Sequence, residues 1–385
     1  MSEAFASIGK TGEQEMIAGS VSTTPWAPDA LSCAWLQAVL QDAGALGVGD
    51  EVLTFQTSPL GEGVGLLGAL VRIGVVCRAS GGEAPRTLVA KFSTSNAENR
   101  AVAMAFGVYA REVGFYRHVA PHLPGIAPRC FAAEYDAASG GSVLILEDLA
   151  AYRMGDQVAG CAAREVEDVI ELLIPMHVRH WGRVDDPGLA WAPRIDGPMQ
   201  LEGFAQGCAA GWEPCVSRFG HVIGQDILSR RDQFVAAVPE LSRRMGAAPQ
   251  TLVHGDLRLD NLMFGQAPGQ RPAVAIDWIV TFSAAIHDLA YLLTQNLRTD
   301  ERRRHERRLV ARYQQRLREQ GIADYSAEQA WEDYLVAALY LFSYGVVIAG
   351  ALDPGNARAA LMMEQLMARA SAVIMDHQLL DRLPG

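Results

Sequence analysis

The sequence predicts an α+β fold with two lobes: an N-terminal lobe built on an antiparallel sheet with a helix, and a larger, mainly helical C-terminal lobe. A chain of 385 residues is too long for one compact core. Short strand-like runs broken by glycine and polar turns occupy much of residues 52–147, whereas apolar positions recur at helical spacing beyond Leu149. We therefore expect lobes at residues 25–148 and 149–385, after a flexible tail at residues 1–24 that is rich in Ser, Gly, Thr and Glu.

The N-terminal lobe should contain two helices beside its sheet. Apolar positions at helical spacing predict the first over residues 26–45, with Asp29 capping its start. The same spacing predicts one long helix over residues 96–119. Four strands are predicted in this lobe: 66–76, 87–92, 129–135 and 142–147.

Helices dominate the rest of the chain. They are predicted over residues 164–178, 199–208, 227–237, 301–320, 327–350 and 357–376. One of them contains nineteen uncharged residues, 334–352, which just reaches the length that can span a bilayer. The internal Ser343, Gly345 and Gly350 favour a buried helix of the lobe, as do acidic flanks in place of Lys or Arg. No membrane span is expected.

The composition of the chain indicates which binding partners and which cell compartment to expect. A formal net charge of −11 argues against a nucleic-acid-binding surface. The six cysteines include no Cys-x-x-Cys pair and have no histidines at zinc spacing beside them, so we expect reduced thiols in a cytoplasmic protein. The N-terminus lacks a basic patch followed by an apolar stretch, so no signal peptide is indicated.

The most informative stretch is 254–264, His-Gly-Asp-Leu-Arg-Leu-Asp-Asn-Leu-Met-Phe, followed by Ile-Asp-Trp at 276–278. Asp256, Asn261 five residues on and Asp277 sixteen after that are what an enzyme phosphorylating a hydroxyl needs near the γ-phosphate. Asp256 would act as catalytic base, and oxygens of Asn261 and Asp277 would bind Mg²⁺. The alternative is a turn rich in Asp and Asn between two buried strands. The apolar run before Asp277, which delivers it at a strand end, favours the metal site.

A glycine-rich string at residues 63–68, Gly-Val-Gly-Leu-Leu-Gly, satisfies the pattern G-x-G-x-x-G. Alone the pattern is weak, because dinucleotide-binding folds and simple hairpins also contain it. A dinucleotide fingerprint opens a helix, whereas here a strand-like run follows. Gly63, Gly65 and Gly68 are therefore predicted to lie in a hairpin that covers the triphosphate of ATP.

Lys91 lies at the end of an apolar strand, about two dozen residues after the glycines. It matches the strand lysine that pairs the α- and β-phosphates in kinases, with an ordinary edge lysine as the alternative. Such a lysine needs a carboxylate to hold its ammonium forward. Glu112 is preferred to Glu98, because the midpoint of the long predicted helix should face the strand and its start should not. A solvated helix glutamate is the alternative for Glu112.

Two further predictions concern the hinge and the phosphoryl group. The hinge between the lobes is predicted at residues 144–149, where adenine would bind the backbone carbonyl of Glu147 and the backbone amide of Leu149. Arg258 stands two residues after Asp256, where its guanidinium could share the charge of the transferred phosphoryl group. A surface arginine is the alternative.

Together these motifs resemble the phosphotransferases that include the aminoglycoside, choline and ecdysteroid-kinase-like enzymes. The spacing H-x-D-x-x-x-x-N is that of the protein-kinase catalytic loop, but Gly255 stands where protein kinases carry arginine. The resemblance covers about residues 50–300. It implies a protein-kinase-like fold, ATP as donor, Mg²⁺ as cofactor, and an Asp288 that hydrogen-bonds the backbone of the catalytic loop. We expect His254 to pack and orient that loop. One departure is Ile279, where relatives often have glutamine.

The acceptor is expected to be a small molecule with a hydroxyl. Aromatic residues between the hinge and the catalytic loop accompany few acidic residues that could clamp ammonium groups. These aromatic residues are Trp181, Trp191, Phe204, Trp212 and Phe219. They favour a largely apolar metabolite, such as a hydroxy-acyl compound or a sterol-like alcohol, although aromatics at helix spacing also build cores. The alternatives are an aminoglycoside phosphotransferase and a non-catalytic nucleotide-binding regulatory protein. The sequence leaves the oligomeric state and the choice between ATP and GTP open.

Overall fold

The N-terminal part of the protein is built on a five-stranded antiparallel sheet in the order β1-β2-β3-β5-β4. This computed structural model describes residues 24–60, 68–78, 84–351 and 355–383. The strands are β1 (Glu51–Pro59), β2 (Gly68–Arg78), β3 (Thr87–Ser93), β4 (Cys130–Asp136) and β5 (Gly141–Glu147). The predicted tail, apart from Thr24, and the predicted loop glycines Gly63 and Gly65 lie outside the described residues.

The helices of this part differ from their predicted extents. Helix α1 (Cys33–Asp42) is shorter than predicted, and its start is capped by the Ser32 side chain because Asp29 lies in a preceding 3₁₀ turn. The single helix predicted over residues 96–119 is wrong: it is two helices, α2 (Ala97–Ala105) and α3 (Val108–His118). They meet at Gly107, whose φ of 63° is left-handed, a conformation that glycine adopts without steric cost.

The C-terminal part is mainly helical, as predicted. Its helices are α4 (Ala163–Arg179), α5 (Pro198–Phe219), α6 (Gln225–Ser229), α7 (Arg231–Ala247), α8 (His287–Tyr291), α9 (Thr299–Glu319), α10 (Ala327–Ala351) and α11 (Ala357–Asp376). The prediction for 199–208 was too short, and the one for 227–237 falls on two helices, because apolar spacing does not mark where a helix ends. Helix α10 packs against α5, α7, α9 and α11 at the centre of this part.

Helix α10 is long and apolar enough to cross a membrane by length and composition alone. Of its most apolar stretch, 67% is buried inside the protein, which is typical of a core helix. Its buried side chains include Tyr334, Phe342 and Ser343. The expected buried helix is therefore observed.

Two hydrophobic clusters divide the molecule into lobes. The smaller one lies between α1 and one face of the sheet, where Leu36, Ile73 and Val143 are fully buried. The larger one fills the helical part and continues to the α3 side of the sheet. Helix α3 therefore lies between the sheet and the helical lobe, and its side chains can reach both.

Short strands at the base of the helical lobe present the catalytic stretch. Strand β7 (Gln250–Val253) pairs with β10 (Thr281–Ala284), and β8 (Leu262–Phe264) lies between β6 (Arg153–Met154) and β9 (Ala273–Ala275). Residues 254–261 form the loop from β7 to β8. Asp277 follows the end of β9, as the apolar run before it predicts.

Candidate active site

The buried carboxylate of Asp288 holds the loop after β7. Asp288 accepts hydrogen bonds from the backbone amides of His254, at 2.7 Å, and Gly255, at 3.1 Å. This is the contact that the sequence predicts for Asp288. Although burial alone would raise the pKa of Asp288, its hydrogen bond with His177 holds that pKa below its usual range. The Gly255 backbone has a φ of 87°, and a Cβ there would lie 2.3 Å from the Ile279 carbonyl oxygen, so only glycine fits.

His254 is fully buried beneath the loop. Its Nε2 lies 2.9 Å from the Ile276 carbonyl oxygen, and its Nδ1 accepts a hydrogen bond from the Asp256 amide at 3.2 Å. These partners require a neutral ring with the proton on Nε2, and burial lowers the pKa of His254, which favours that form. The ring also lies 4.4 Å from that of Trp278, centre to centre. His254 therefore joins the loop to the segment around Asp277, in agreement with the predicted orienting role.

The Asp256 carboxylate lies at the mouth of this loop with three donors around it. The hydroxyl of Tyr291 donates to Oδ1 at 3.0 Å, and the amide nitrogen of Asn261 donates to Oδ2 at 3.1 Å. Arg258 approaches Oδ2 with Nε at 3.3 Å, and its Nη1 lies 3.7 Å from Asp260. The structure thus brings three predicted site residues together. It adds Tyr291, whose position in Asp-Leu-Ala-Tyr at 288–291 was the available signal.

Lys91 connects the sheet to the catalytic segment. Its Nζ lies 2.8 Å from Oε1 of Glu112 on α3 and 2.8 Å from Oδ1 of Asp277. Burial alone would lower the pKa of Lys91, but the two carboxylates hold it above its usual range. Burial raises the pKa of Glu112 despite the opposing effect of Lys91. The other candidate, Glu98, is exposed in the first turn of α2.

Asp277 has a strained backbone and a carboxylate whose negative charge is stabilised by its neighbours. Its φ of 60° places a non-glycine residue in the left-handed region, a cost that folds retain mostly at functional positions. Burial alone would raise the pKa of Asp277, but Lys91 and then Arg258 hold it below its usual range. About a third of the side chain, 36%, is still exposed to solvent. The carboxylate is therefore ionised and can be reached by a ligand.

Asn261 and Asp277 offer the oxygen atoms that a hard cation prefers. The amide nitrogen of Asn261 is engaged with Asp256, which leaves its side-chain oxygen free of hydrogen bonds within the described part of the chain. The contact of Asp277 with Lys91 is made by its Oδ1 atom. Two such ligands fit Mg²⁺, which usually takes one or two protein groups together with phosphates and water. Among the described residues no cluster of three or more His, Cys, Asp or Glu side chains forms a separate metal site.

The other described residues predicted to contact the nucleotide lie at the end of the β2–β3 pair and at the predicted hinge. Gly68 pairs with Ser93 across β2 and β3, two residues from Lys91. The Glu147 carboxylate contacts Arg271 at 2.8 Å, so its side chain is engaged with the protein. Leu149 is buried, and its backbone amide has no hydrogen-bond partner among the described residues.

The aromatic residues divide between core and site. Trp212 and Phe219 are buried in the helical core, Trp181 packs against Tyr325, and the Trp191 indole donates to the Gly188 carbonyl at 3.0 Å. Phe204 differs from these, because its ring stacks on Tyr340 at 5.0 Å and lies 6.1 Å from Tyr344. The ring of Tyr344 in turn lies 5.9 Å from that of Tyr291. We call Phe204, Tyr291, Tyr340 and Tyr344 the aromatic wall. It begins at the Asp256 carboxylate.

Sequence comparison agrees with this geometry. The ecdysteroid kinase-like family matches residues 62–178 and 213–322, together more than half of the chain. The protein belongs to the ecdysteroid kinase-like family. As a member of that family it is a phosphotransferase that acts on a hydroxyl group. No curated protein matches the sequence.

Solved structures resemble this family member in fold. A candidate aminoglycoside phosphotransferase from Ralstonia eutropha JMP134 aligns over 92% of this chain and 99% of its own, with 14% identity and a TM-score of 0.51. An ethanolamine kinase from Plasmodium vivax aligns over 84% of this chain and 83% of its own, with 10% identity and a TM-score of 0.50. A choline kinase from Cryptosporidium parvum aligns over 90% and 97%, with 11% identity and a TM-score of 0.49. At such identities the likeness to the first two of these structures establishes the fold alone, which is two-lobed and protein-kinase-like.

Proposed function

We propose that this phosphotransferase moves the γ-phosphoryl group of ATP to a hydroxyl of a largely apolar small molecule, with Mg²⁺ as cofactor. The observation that carries the proposal is the position of the Asp256 carboxylate. It accepts a hydrogen bond from Tyr291 of the aromatic wall, and Arg258 beside it is also close enough to Asp277, the partner of Lys91, to interact with its charge. One carboxylate therefore adjoins both the groups suited to phosphates and the groups suited to an acceptor.

The nucleotide is proposed to lie between the lobes, whose boundary we place at the hinge near residue 148. Its adenine would bind the backbone at Glu147 and Leu149, and its triphosphate would lie under the loop of Gly63, Gly65 and Gly68. The Lys91 ammonium would pair with the α- and β-phosphates, held in place by Glu112. The free amide of Leu149 and the closeness of Gly68 to Lys91 support this placement.

Asn261 and Asp277 would hold Mg²⁺, which neutralises the phosphate oxygens during transfer. The strained backbone of Asp277 and its accessible, ionised carboxylate support this role. Lys91 now contacts Oδ1 of Asp277 and would turn to the phosphates when the nucleotide binds. The negative charges of Asp277, Glu112 and the phosphates would then be balanced by the Lys91 ammonium and Mg²⁺ together.

Asp256 would align the acceptor hydroxyl and accept its proton as that oxygen bonds to the γ-phosphorus and the bond to the leaving ADP breaks. The donors Tyr291 and Asn261 hold the two carboxylate oxygens in fixed positions. Arg258, at 3.3 Å from the same carboxylate, would share the charge that develops on the phosphoryl group.

The aromatic wall supports a largely apolar acceptor. Four rings follow one another away from Asp256, and the positive charges beside them, Arg111 and Arg258, would repel the ammonium groups of an aminoglycoside. The six cysteines are all free thiols, which fits the cytoplasm as the proposed compartment.

An acceptor screen monitored by ADP production tests the proposal. The screen should include hydroxy-acyl compounds, sterol-like alcohols, an aminoglycoside and simple polar alcohols, each with the parent protein and with Asp256→Asn. We expect ADP production with an apolar alcohol that depends on Asp256. Preferred turnover of the aminoglycoside would replace the proposed acceptor class. No ADP production with any acceptor, despite ATP binding, would contradict the proposed function.

A further inference from the structure

Arg111 is a partly buried cation with no acidic partner among the residues that the structure describes. It lies on α3, next to Glu112, and points away from the Lys91 pair toward the helical lobe. Its Nε donates to the Val280 carbonyl at 2.9 Å and its Nη2 donates to the Ile279 carbonyl at 2.5 Å. In the part of the chain that the structure describes, no carboxylate lies within 4.0 Å of its guanidinium.

A guanidinium removed from water without a negative partner is costly. Burial lowers the pKa of Arg111 to about 10. The two carbonyls use two of its five N–H groups, and a third contact, from Nη1 to the Phe106 carbonyl, is long at 3.5 Å. Arg111 therefore retains both a positive charge and donor groups that are available to a ligand.

Arg111 also lies close to the proposed acceptor region. Tyr340 and Tyr344 of the aromatic wall are close enough to interact electrostatically with its charge. Their hydroxyls have no hydrogen-bond partner among the residues that the structure describes. A Cβ at Gly255, the residue before Asp256, would lie 3.8 Å from Nη2 of Arg111. Arg111 and Tyr344 therefore lie near Asp256, with Tyr340 close to both of them.

We propose that Arg111, with the hydroxyls of Tyr340 and Tyr344, binds a carboxylate of the acceptor, so that the substrate is a hydroxy acid with an apolar body. The inference rests on the proposed function in taking the aromatic wall as the acceptor site. Arginine presents paired N–H groups that match a carboxylate, and tyrosine hydroxyls add further donors. Arg258 is unsuited to this task, since it contacts Asp256 and Asp260.

Binding of matched acid and neutral probes tests the anion site. The probes are ω-hydroxy acids from hydroxybutanoate to hydroxydodecanoate, each compared with the diol of the same chain length. Dissociation constants are measured by isothermal titration calorimetry on the full-length protein saturated with ADP and Mg²⁺. For at least one length we expect the acid to bind about tenfold to a hundredfold tighter than its diol, as for a charge-assisted hydrogen bond. Equal binding, including no measurable binding of either probe, overturns the proposal.

Variants assign any preference to its residues. Arg111→Met should remove the preference for the acid, Arg111→Lys should keep part of it, and Arg318→Met, at an exposed helix position, should leave it unchanged. Because Arg111→Met also removes contacts to Ile279 and Val280, Tyr344→Phe is the second variant: it keeps the ring and should weaken acid binding several-fold while sparing the diol. A preference that survives both changes would restrict Arg111 to positioning the backbone and overturn the proposal.

Phosphoryl transfer separates this inference from the proposed function. If acids and diols are phosphorylated equally, and this activity is lost in Asp256→Asn, the proposed function is supported and the carboxylate site is contradicted. If acids bind in an Arg111-dependent way but no hydroxyl is phosphorylated, the carboxylate site is supported and the proposed function is contradicted. An equal loss of kcat for acids and diols in Arg111→Met, with their ratio unchanged, would also mean that Arg111 only positions the segment after Asp277.

Discussion

The two sides of Asp256 are built differently. On the proposed nucleotide side, the Lys91 ammonium is paired with two carboxylates, those of Glu112 and Asp277, each at 2.8 Å. On the proposed acceptor side, aromatic rings lie beside Arg111, a cation without an acidic partner in the described part of the chain. The side with paired charges is suited to binding the same phosphate groups whatever the acceptor is. The unpaired side leaves donor groups for a ligand, so substrate choice should depend on it.

The largest effect is expected on the nucleotide side, from Asp277→Ala. This change removes a proposed Mg²⁺ ligand and no core volume, so the protein should fold and transfer should fall by roughly a thousandfold or more. Phosphoryl transfer and circular dichroism are the measurements, with Asp324→Ala at an exposed position as the control. Parent turnover at ordinary Mg²⁺ concentration would remove Asp277 from the metal site.

Lys91→Ala should have the next largest effect, because it removes the cation proposed to pair with the phosphates and leaves Glu112 buried without a partner. We expect ATP binding to weaken by about tenfold to a hundredfold, as for a lost charge-assisted contact. Lys91→Arg keeps the charge but cannot match the compact ammonium, so it should restore binding only in part. Calorimetric titration with ATP measures both. Unchanged ATP affinity in Lys91→Ala would require another phosphate partner.

Glu112→Gln should act in the same direction and more weakly. The carboxamide still accepts a hydrogen bond from Lys91 but no longer attracts its charge, so ATP binding should weaken by several-fold, on the scale of one hydrogen bond. Glu98→Gln, in the exposed first turn of α2, is the matched control and should have no effect. The opposite ranking of these two variants would reassign the partner of Lys91.

On the acceptor side, Tyr291→Phe should have the smallest effect. It removes the hydroxyl that holds Oδ1 of Asp256 while keeping the ring, so kcat should fall by only about twofold to threefold, the lower end for one hydrogen bond. KM for ATP should stay constant, because Tyr291 contacts neither Lys91 nor Asp277. Steady-state kinetics separates the two quantities. A rise in KM for ATP with unchanged kcat would place Tyr291 on the nucleotide side.

The same contrast explains what the sequence could predict. The proposed nucleotide side rests on short motifs, in which spacing along the chain carries the chemistry, and the sequence singled out Lys91, Glu112 and Asp277, which the structure brings together. Pairing across the sheet also brought the strands of 129–147 together as predicted. The break at Gly107 was missed, because the apolar spacing continues through both helices.

The acceptor side could not be predicted in the same way. Its wall joins Phe204 of α5, Tyr291 of α8 and Tyr344 of α10, which lie far apart in sequence and meet only through helix packing. Tyr340 and Tyr344 belong to the uncharged stretch of α10, where any ring is expected in the core. Arg111 precedes Glu112 in the motif Arg-Glu-x-x-Phe-Tyr at 111–116, but the motif indicates no anion site, since that role depends on the lack of a carboxylate near Arg111 among the described residues.

Asp256→Asn tests the central claim, that Asp256 is the catalytic base shared by the two sides. The change keeps shape and most hydrogen bonding but removes the negative charge and the proton acceptor. We predict that the transfer rate, measured by ADP production with an accepted alcohol, falls about a hundredfold to ten-thousandfold. ATP affinity, measured by calorimetry on the same sample, should barely change. Full transfer rate in Asp256→Asn, or loss of ATP binding together with the rate, would contradict the account.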